Sequence, residues 1–269
     1  MNPRSGRPTS ASDELVAAAR SVGLEVHTLH AGEHAAEVAR ASSADVLGVA
    51  GGDGSLAAVA AVTVERDAAF VCVPFGTRNH FARDLGLDRD DPVGALDAFN
   101  GVERRVDVGR ADRRLFLNNV SLGFYGQLVH RREHHRRRRE ALARLRAWAI
   151  LLTQREPLGI TVGGEPLDTR VLVVANNAYA LDLPSLGARD RLDEGKLHLY
   201  VPGDERIGDR FVVDAAAGRL EAAVDGEPDV LETPIEFTIE PRALRVLVPG
   251  DSSGEHGRVM RERELARQW

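Results

Sequence analysis

Length, composition and charge already exclude several classes of protein. The chain has 269 residues, of which 43% are hydrophobic and 28% charged, values typical of a soluble globular protein with room for two domains. A net charge of −6 argues against a general nucleic-acid binder, and apolar runs such as Ala147–Leu152 are too short to span a bilayer. Cys72 is the only cysteine, so we expect no disulfide and a cytoplasmic location.

The first part of the chain predicts helices alternating with strands. After a turn at Asn2–Gly6, the predicted elements are a helix from about Ser12 to Gly23, a strand at Glu25–Leu29, a helix at Glu33–Ser43, a strand at Val46–Ala50, a helix at Ser55–Glu65 and a strand at Ala68–Val73. This alternation is typical of an α/β fold, in which helices cover both faces of a parallel sheet.

A glycine-rich turn, Gly51-Gly52-Asp53-Gly54, separates the strand at Val46–Ala50 from the helix that follows. Such a turn leaves backbone N–H groups free at the N-terminus of the helix, where they can bind phosphate. Glycine lets the phosphate approach closely because it has no Cβ. A carboxylate next to phosphate is repulsive unless a divalent cation or a hydroxyl lies beside it, so Asp53 indicates a nucleotide with Mg²⁺. The alternative, that Asp53 only caps the helix, stays open on these residues.

A second polar turn follows the strand at Ala68–Val73 and contains Thr77 and Asn79. Ligands of α/β sheets bind at the carboxyl ends of strands, so both side chains are candidates for hydrogen bonds to a nucleotide; the alternative is that Thr77 caps the next helix. No lysine follows the Gly51 turn, and Lys196 is the only lysine in the chain. This excludes a Walker-A loop, so phosphoryl transfer has to rely on arginine, backbone and metal.

From about Asp107 the pattern changes to short strands separated by turns, which predicts a second, mainly antiparallel β domain. We therefore predict a nucleotide-binding α/β domain at residues 1–105, a β domain at 106–249 and a C-terminal tail at 250–269 that packs back on the first domain. The predicted strands are Leu115–Val120, Arg170–Asn176, Lys196–Val201, Arg219–Val224, Ile235–Ile239 and Leu244–Val248.

The segment His130–Leu152 carries eight arginines, and its second half places Leu142, Leu145 and Trp148 at helical spacing. A basic amphipathic helix of this kind can rest on an anionic membrane surface. The alternative, favoured on general grounds, is that the apolar side packs on the β domain and the arginines face solvent.

Four motifs in order resemble the catalytic-domain family of diacylglycerol kinases, in its bacterial lipid-kinase branch: the Asn2 turn, the Gly51 turn, the Thr77 turn and Val224–Pro228. The resemblance implies an α/β nucleotide domain like that of NAD kinases, a β-sandwich domain for the lipid, and an active site in the cleft between them. It also implies transfer of the γ-phosphate of ATP, with Mg²⁺, to a lipid hydroxyl. The protein would then work as a peripheral enzyme at the inner membrane surface, without a nucleic-acid partner; a homodimer is compatible with the sequence.

The resemblance also implies roles for single residues. Glu227 matches the family's proton acceptor, and Asp225 and Asp53 complete the predicted catalytic set. A structural Mg²⁺ site in the β domain corresponds to Arg191, Asp193, Glu194 and Lys196. The residues expected to contact ATP are Asn2, Pro3, Arg4, Ser5, Gly6, Thr28, Gly51, Gly52, Asp53, Gly54, Ser55, Leu56, Ala57 and Thr77, together with Asn79 from the second turn.

Two rival functions remain open on the sequence. A soluble kinase closer to the NAD kinases shares the Gly-Gly-Asp-Gly turn, although the Thr77 turn and the Asp225-Gly226-Glu227 turn favour a lipid kinase. The second rival function is that of a regulatory protein that binds lipid or nucleotide without catalysis. The presence of Asp53 and Glu227 argues against it.

Overall fold

The structure is a computed structural model that describes residues 1–3, 9–76, 79–123, 157–180 and 187–250. The chain divides into two compact units. The first unit comprises Met1–Asp107, Tyr179–Asp193 and the chain from Pro241 onward, and the second comprises Val108–Ala178 and Glu194–Glu240. Within the described residues, no helix has the length and apolar character needed to cross a membrane.

The first unit is an α/β domain with a parallel sheet. Strand β2 lies between β1 and the end of β14, with β1 in register from Val46↔Ala69 to Gly51↔Pro74 and β14 pairing through Val246↔Phe70. All residues of β2 are buried, as expected for a central strand. The elements are α1 Thr9–Ser21, α2 Ala35–Ala41, β1 Val46–Gly51, α3 Asp53–Arg66, β2 Ala69–Pro74, α4 His80–Asp84, a 3-10 helix at Gly94–Asn100, and the last residues of β14 Ile235–Val248.

The core of this unit follows from the helical spacing that the sequence shows. Leu15 and Ala19 lie one turn apart on α1 and pack with Val71, Val73 and residues of the 3-10 helix. Helix α3 contributes a second buried face, made of Leu56, Val59, Ala60 and Val62. The two faces hold the ends of β1 and β2 in place, and both glycine-containing turns emerge from those ends.

The second unit is a β-sandwich. One sheet has six antiparallel strands in the order β10-β9-β8-β5-β12-β13, while β11 pairs with β6 and with the first half of β14. Phe116, Val120 and Leu122 share one core with Ile160, Val213 and Phe237, so the two layers pack face to face. The strands are the end of β3 Val102–Ala111, which begins in the first unit, β4 Arg114–Phe116, β5 Asn119–Leu122, β6 Ile160–Val162, β7 Glu165–Leu167, β8 Leu172–Asn176, β9 Leu197–Val201, β10 Asp204–Gly208, β11 Arg210–Ala215, β12 Arg219–Val224, β13 Glu227–Glu232 and the first part of β14.

The strand predicted at Glu25–Leu29 is wrong, because this stretch forms no ladder. Among the described residues it is bonded to the short stretch Met1–Asn2, since Leu29 N donates to Met1 O at 2.9 Å. Asn2 N in turn donates to Ala50 O of β1 at 2.9 Å. Two residues are too few to form a ladder with this stretch, so Met1–Asn2 only links it to the end of β1.

The strands predicted at Ile235–Ile239 and Leu244–Val248 form one 14-residue strand, β14. Pro241 suggested a break because proline cannot donate a ladder hydrogen bond. The chain passes this point with Arg242 at φ 54°, and Arg242 N donates to the Asp107 carboxylate of the neighbouring strand β3 at 2.7 Å, where a ladder would use a backbone carbonyl.

The division into units differs from the predicted boundaries in two places. The range 106–249 was expected to be one β domain, but Tyr179–Asp193 and the chain from Pro241 onward belong to the first unit. The end of β14 lies there because it pairs with β2, and a strand's sequence does not show which sheet it joins. Of the predicted tail, residues 251–269 lie outside the described residues, as does the whole basic segment 130–152.

Candidate functional site

The first turn of the candidate site connects β1 to α3. Strand β1 ends at Gly51, Gly52 is the N-cap of α3, and no side chain caps this helix end. The N–H groups of Ser55 and Leu56 donate to Gly52 O at 2.9 and 3.0 Å, so the helix forms at once. This is the strand, turn and helix that the sequence predicts for a phosphate-binding turn.

Asn2 lies against this turn. Its Nδ2 donates to Ser55 Oγ at 3.0 Å, and its backbone N–H is bonded to the end of β1. Asn2, the first residue of the predicted ATP-contacting loop, therefore lies next to the Gly51 turn. Pro3 is described and half-buried, whereas Arg4, Ser5 and Gly6 lie outside the described residues.

The second turn touches the first through the backbone. A Cβ on Gly76 would lie 2.4 Å from the Cα of Gly52, a distance that only glycine at position 76 permits. Asn79, at φ 48°, closes the second turn by accepting from Gly76 N and donating to Gly76 O, both at 2.9 Å. The Asn79 amide therefore braces the turn, and its predicted contact with a nucleotide would have to use the remaining hydrogen-bonding capacity of that amide. Thr77 lies outside the described residues.

Asp53 joins the two turns. Its side chain is buried, and it accepts hydrogen bonds from His80 N at 3.3 Å and Phe81 N at 3.4 Å, the first N–H groups of α4. Both bonds are longer than the usual 2.7–3.2 Å, and a carboxylate has about four acceptor sites, so capacity for a further donor or a hydrated cation remains. The sequence left open whether Asp53 caps α3; its side chain instead binds the start of α4.

The charge of Asp53 reaches the neighbouring strand. Burial, and in second place the Asp53 carboxylate, raise the pKa of the Cys72 thiol well above its usual range. Cys72 is fully buried in β2 and is therefore an unreactive core residue. Other predicted contact residues are also in the core: Leu56 and Ala57 are buried in α3, so only their backbone can serve a ligand, and Thr28 is half-buried beside Leu29.

In the second unit, Asp225 and Gly226 form the two-residue turn of the β12–β13 hairpin, with φ values of 48° and 81°. Asp225 is buried, and its carboxylate accepts from the N–H groups of Leu117, Asn118 and Asn119 at 2.8, 2.7 and 3.1 Å. Glu227 follows at the start of β13 with an exposed side chain. Asp225 thus binds the chain before β5, and Glu227 is the accessible acid of the pair.

Sequence reasoning missed the asparagines at this end of the sheet. Asn176 is 1% exposed, and its Nδ2 donates to Leu117 O at 3.0 Å. Asn177, at φ 69°, donates to Asn176 Oδ1 at 3.4 Å. The pairs Asn118-Asn119 and Asn176-Asn177 were visible in the sequence, within or at the end of predicted strands, but their partners were not. Asn176 attaches β8 to the same peptide group, Leu117–Asn118, that binds Asp225.

The residues predicted to bind a structural Mg²⁺ have other partners. In the first unit, Asp193 pairs with Arg191 at 3.1 Å and with Arg242 at 3.3 Å, and the Arg191 guanidinium, followed by Arg242, holds the pKa of its carboxyl below the usual range. A bound cation would have to displace two guanidinium groups from this carboxylate.

In the second unit, Glu194 accepts from Ala178 N at 3.0 Å and lies 3.2 Å from His198 Nε2, while Lys196 is exposed. Nowhere in the described part of the chain do three acidic, histidine or cysteine side chains converge on a metal position. These residues do not fit a side-chain Mg²⁺ site, so we assign them no step in catalysis.

Known proteins are similar to this chain in sequence and in fold. A model of the diacylglycerol kinase catalytic domain matches residues 1–111, which include both turns, Asn2 and Asp53. Residues 1–111 thus bear out the predicted resemblance to the diacylglycerol kinase catalytic-domain family, and the same match supports the prediction of a kinase of this type. The two compact units agree with the predicted two-domain fold.

Two curated relatives and one solved structure illustrate the similarity. A probable lipid kinase YegS-like from Pseudomonas fluorescens is 29% identical over 235 residues, which is 75% of this chain and 77% of that protein. A diacylglycerol kinase from Bacillus subtilis is 34% identical over 100 residues, 36% of this chain and 33% of that protein. The crystal structure of a diacylglycerol kinase from Bacillus anthracis superimposes with a TM-score of 0.66 at 20% identity, over 92% of this chain and 94% of that one.

Proposed function

We propose that this protein is a lipid kinase of the diacylglycerol kinase family that transfers the γ-phosphate of ATP, in the presence of Mg²⁺, to the hydroxyl of diacylglycerol or a related lipid. The observation that supports this most is the contact of two backbone turns at Gly52 and Gly76, with Asp53 buried between their helices. The names of the relatives, a lipid kinase and a diacylglycerol kinase, support the lipid as acceptor.

The first unit provides the nucleotide site of the proposal. The N–H groups at the start of α3 bind phosphate oxygens, and the positive end of the α3 dipole stabilises their charge. Asp53 is the residue that would hold Mg²⁺, through the acceptor capacity that α4 leaves unused. When bound, the cation neutralises charge on the transferred phosphoryl group.

Glu227 provides the base. In the proposed reaction the lipid oxygen forms a bond to the γ-phosphorus, the bond from that phosphorus to the β-bridging oxygen breaks, and ADP leaves. The proton of the lipid hydroxyl goes to the Glu227 carboxylate, which is exposed and therefore open to a substrate. Asp225 fixes the turn that carries Glu227 through its three backbone hydrogen bonds.

Incubation of the purified protein with labelled ATP and a panel of lipids tests the proposal. The panel contains diacylglycerol, monoacylglycerol, a sphingoid base and, as a soluble competitor, NAD. Label in at least one lipid is the expected result. Label in NAD alone would replace the proposal with an NAD kinase, and tight ATP binding without transfer to any acceptor would indicate a regulatory protein.

We further propose that the basic segment 130–152 places the enzyme on anionic membranes. The support is its eight arginines beside an apolar stripe with Trp148. Sedimentation with vesicles measures this: binding to vesicles with anionic lipid is expected at low salt and weaker binding at high salt, because exposed charges are screened. Equal binding to neutral and anionic vesicles would contradict the role of the arginines.

A further inference from the structure

A buried cluster of charges lies at the end of α4, away from the turn. The side chains of Asp84 and Arg189 are 1% and 0% exposed, and Arg189 Nε donates to Asp84 Oδ2 at 2.8 Å. Arg83 Nε donates to the other oxygen, Oδ1, at 2.8 Å, and Arg83 Nη2 donates to Gly187 O at 2.6 Å. One carboxylate thus holds two guanidinium groups, and Arg83 ties α4 to the chain at Gly187.

The chain around Gly187 is itself closed by backbone hydrogen bonds. Ala180 N donates to Ala188 O at 2.8 Å, and Gly187 N donates to Ala180 O at 2.9 Å. The Arg189 guanidinium lies 6.0 Å from the centre of the Tyr179 ring, within the range of a cation–π contact. The cluster therefore attaches α4 to Gly187 and Arg189, which belong to the same unit.

Helix α4 needs such an anchor because it has only five residues, far below the length at which a helix is stable by itself. Phe81 and Ala82 bury its apolar side, and the ion pairs of Asp84 hold its last residue. At its other end, the N–H groups of His80 and Phe81 hold Asp53. The position of α4 consequently fixes the donors that orient Asp53 in the phosphate-binding turn.

We infer that Asp84 is a positioning residue for nucleotide binding: its ion pairs with Arg83 and Arg189 fix α4, and α4 orients Asp53. The nucleotide part of this inference rests on the proposed function. Stability is not the expected purpose of the cluster, since a buried ion pair costs much of its Coulomb energy in desolvation and is often no better than an apolar pair. The effect of Asp84 is therefore expected in the order of α4 and in nucleotide affinity.

The test compares Asp84→Asn with Asp97→Asn, an exposed carboxylate on the 3-10 helix, in the full-length protein. Hydrogen exchange is followed in the peptide that covers residues 79–85, and the Kd of ATP is measured by calorimetry with and without Mg²⁺. For Asp84→Asn we expect exchange at His80 and Phe81 about tenfold faster or more and ATP binding in Mg²⁺ about fivefold to tenfold weaker. The control is expected to change neither.

A double variant covers the case in which Asp84→Asn does not fold. Asp84→Asn with Arg189→Gln removes both buried charges together, so no unpaired charge remains inside, and the same two effects are expected. Unchanged exchange in 79–85 would overturn the inference, and faster exchange with unchanged ATP affinity would reduce Asp84 to a structural residue. A wild-type protein that does not bind ATP would refute the proposed function and the nucleotide part, while the exchange result still decides whether Asp84 fixes α4.

Discussion

At the scale of single residues, the two acids of the β12–β13 turn have separate tasks. Asp225 satisfies three backbone N–H groups and is buried, whereas Glu227 is exposed. Hydrogen bonds to a charged acceptor contribute about 1.5–3 kcal/mol each, so Asp225→Asn is expected to lower the free energy of unfolding by about 2 kcal/mol or more. Urea unfolding measures this loss.

Glu227→Gln is expected to leave the free energy of unfolding within about 0.5 kcal/mol of wild type, because surface substitutions rarely cost more. Glu232→Gln, an exposed glutamate at the other end of β13, is the matched control. Equal destabilisation by Asp225→Asn and Glu227→Gln would contradict the separation of tasks.

The raised pKa of the Cys72 thiol leads to a prediction about the stability of the fold at alkaline pH. Burial raises the pKa of its thiol in the folded protein above the usual value of 9.0, so above that pH the unfolded chain loses a proton that the folded protein keeps. The contribution of Cys72 to stability is complete below pH 9.0 and falls as pH rises further, by at most about 1.4 kcal/mol per pH unit.

Unfolding of wild type and Cys72→Ala between pH 8 and 10.5 isolates this effect, since tyrosines and other groups titrate equally in both. The variant is expected to be less stable throughout because of the cavity, but with a shallower decline above about pH 9. Parallel curves would show that the Cys72 thiol is accessible to solvent in the folded state.

At the scale of elements, the contact between the two turns gives a matched pair of substitutions. A Cβ on Gly76 would meet the Cα of Gly52 at 2.4 Å, whereas a Cβ on Gly52 has its nearest neighbour at 3.7 Å, an ordinary contact. Gly76→Ala is therefore expected to lower both stability and ATP affinity. Gly52→Ala is expected to keep the melting temperature and still weaken ATP binding about tenfold or more, because the methyl group occupies the phosphate approach.

Thermal unfolding and calorimetry with ATP distinguish these outcomes. Gly250→Ala, where a Cβ meets nothing within 4 Å, is the neutral control. Normal ATP affinity in a folded Gly52→Ala protein would exclude the Gly51 turn as the phosphate site.

The spacing of apolar residues along the sequence predicted most helices and strands, because the residues that an element buries recur at that element's own period. The apolar run Val46–Ala50 forms β1, and α1 buries Leu15 and Ala19 at helical spacing. The predictions that failed depended on pairing with distant residues. In the described part of the chain, Glu25–Leu29 pairs with no full strand, and β14 continues through Pro241. Which sheet a strand joins depends on partners distant in sequence.

The candidate site shows the same limit. The glycine turn and the Asp225-Gly226 hairpin are local, so their residues and their geometry could be predicted. The hydrogen bonds from α4 to Asp53, and the bond from Asn176 to Leu117, join distant parts of the chain and could not be predicted. The residues predicted to bind Mg²⁺ were assigned by their position in the family motif. In the structure Asp193 pairs with two arginines and Glu194 lies beside His198.

At the scale of the whole molecule, the proposed reaction requires a nucleotide site in the α/β unit and a base, Glu227, in the β-sandwich unit. The family match covers the first of these, residues 1–111, and the role of Glu227 is the part that extends beyond it. A nucleotide site alone would explain ATP binding, so only transfer to lipid, dependent on Glu227, tests both parts together.

The most direct measurement is the transfer of label from γ-labelled ATP to diacylglycerol in mixed micelles with Mg²⁺, by wild type, Glu227→Gln and Glu232→Gln. A positioned base contributes about 10²–10⁴-fold, so Glu227→Gln is expected to lower kcat by at least about a hundredfold with unchanged ATP affinity, and Glu232→Gln to behave as wild type. If wild type labels lipid and Glu227→Gln labels it equally fast, Glu227 is not the proton acceptor, and the central claim is contradicted.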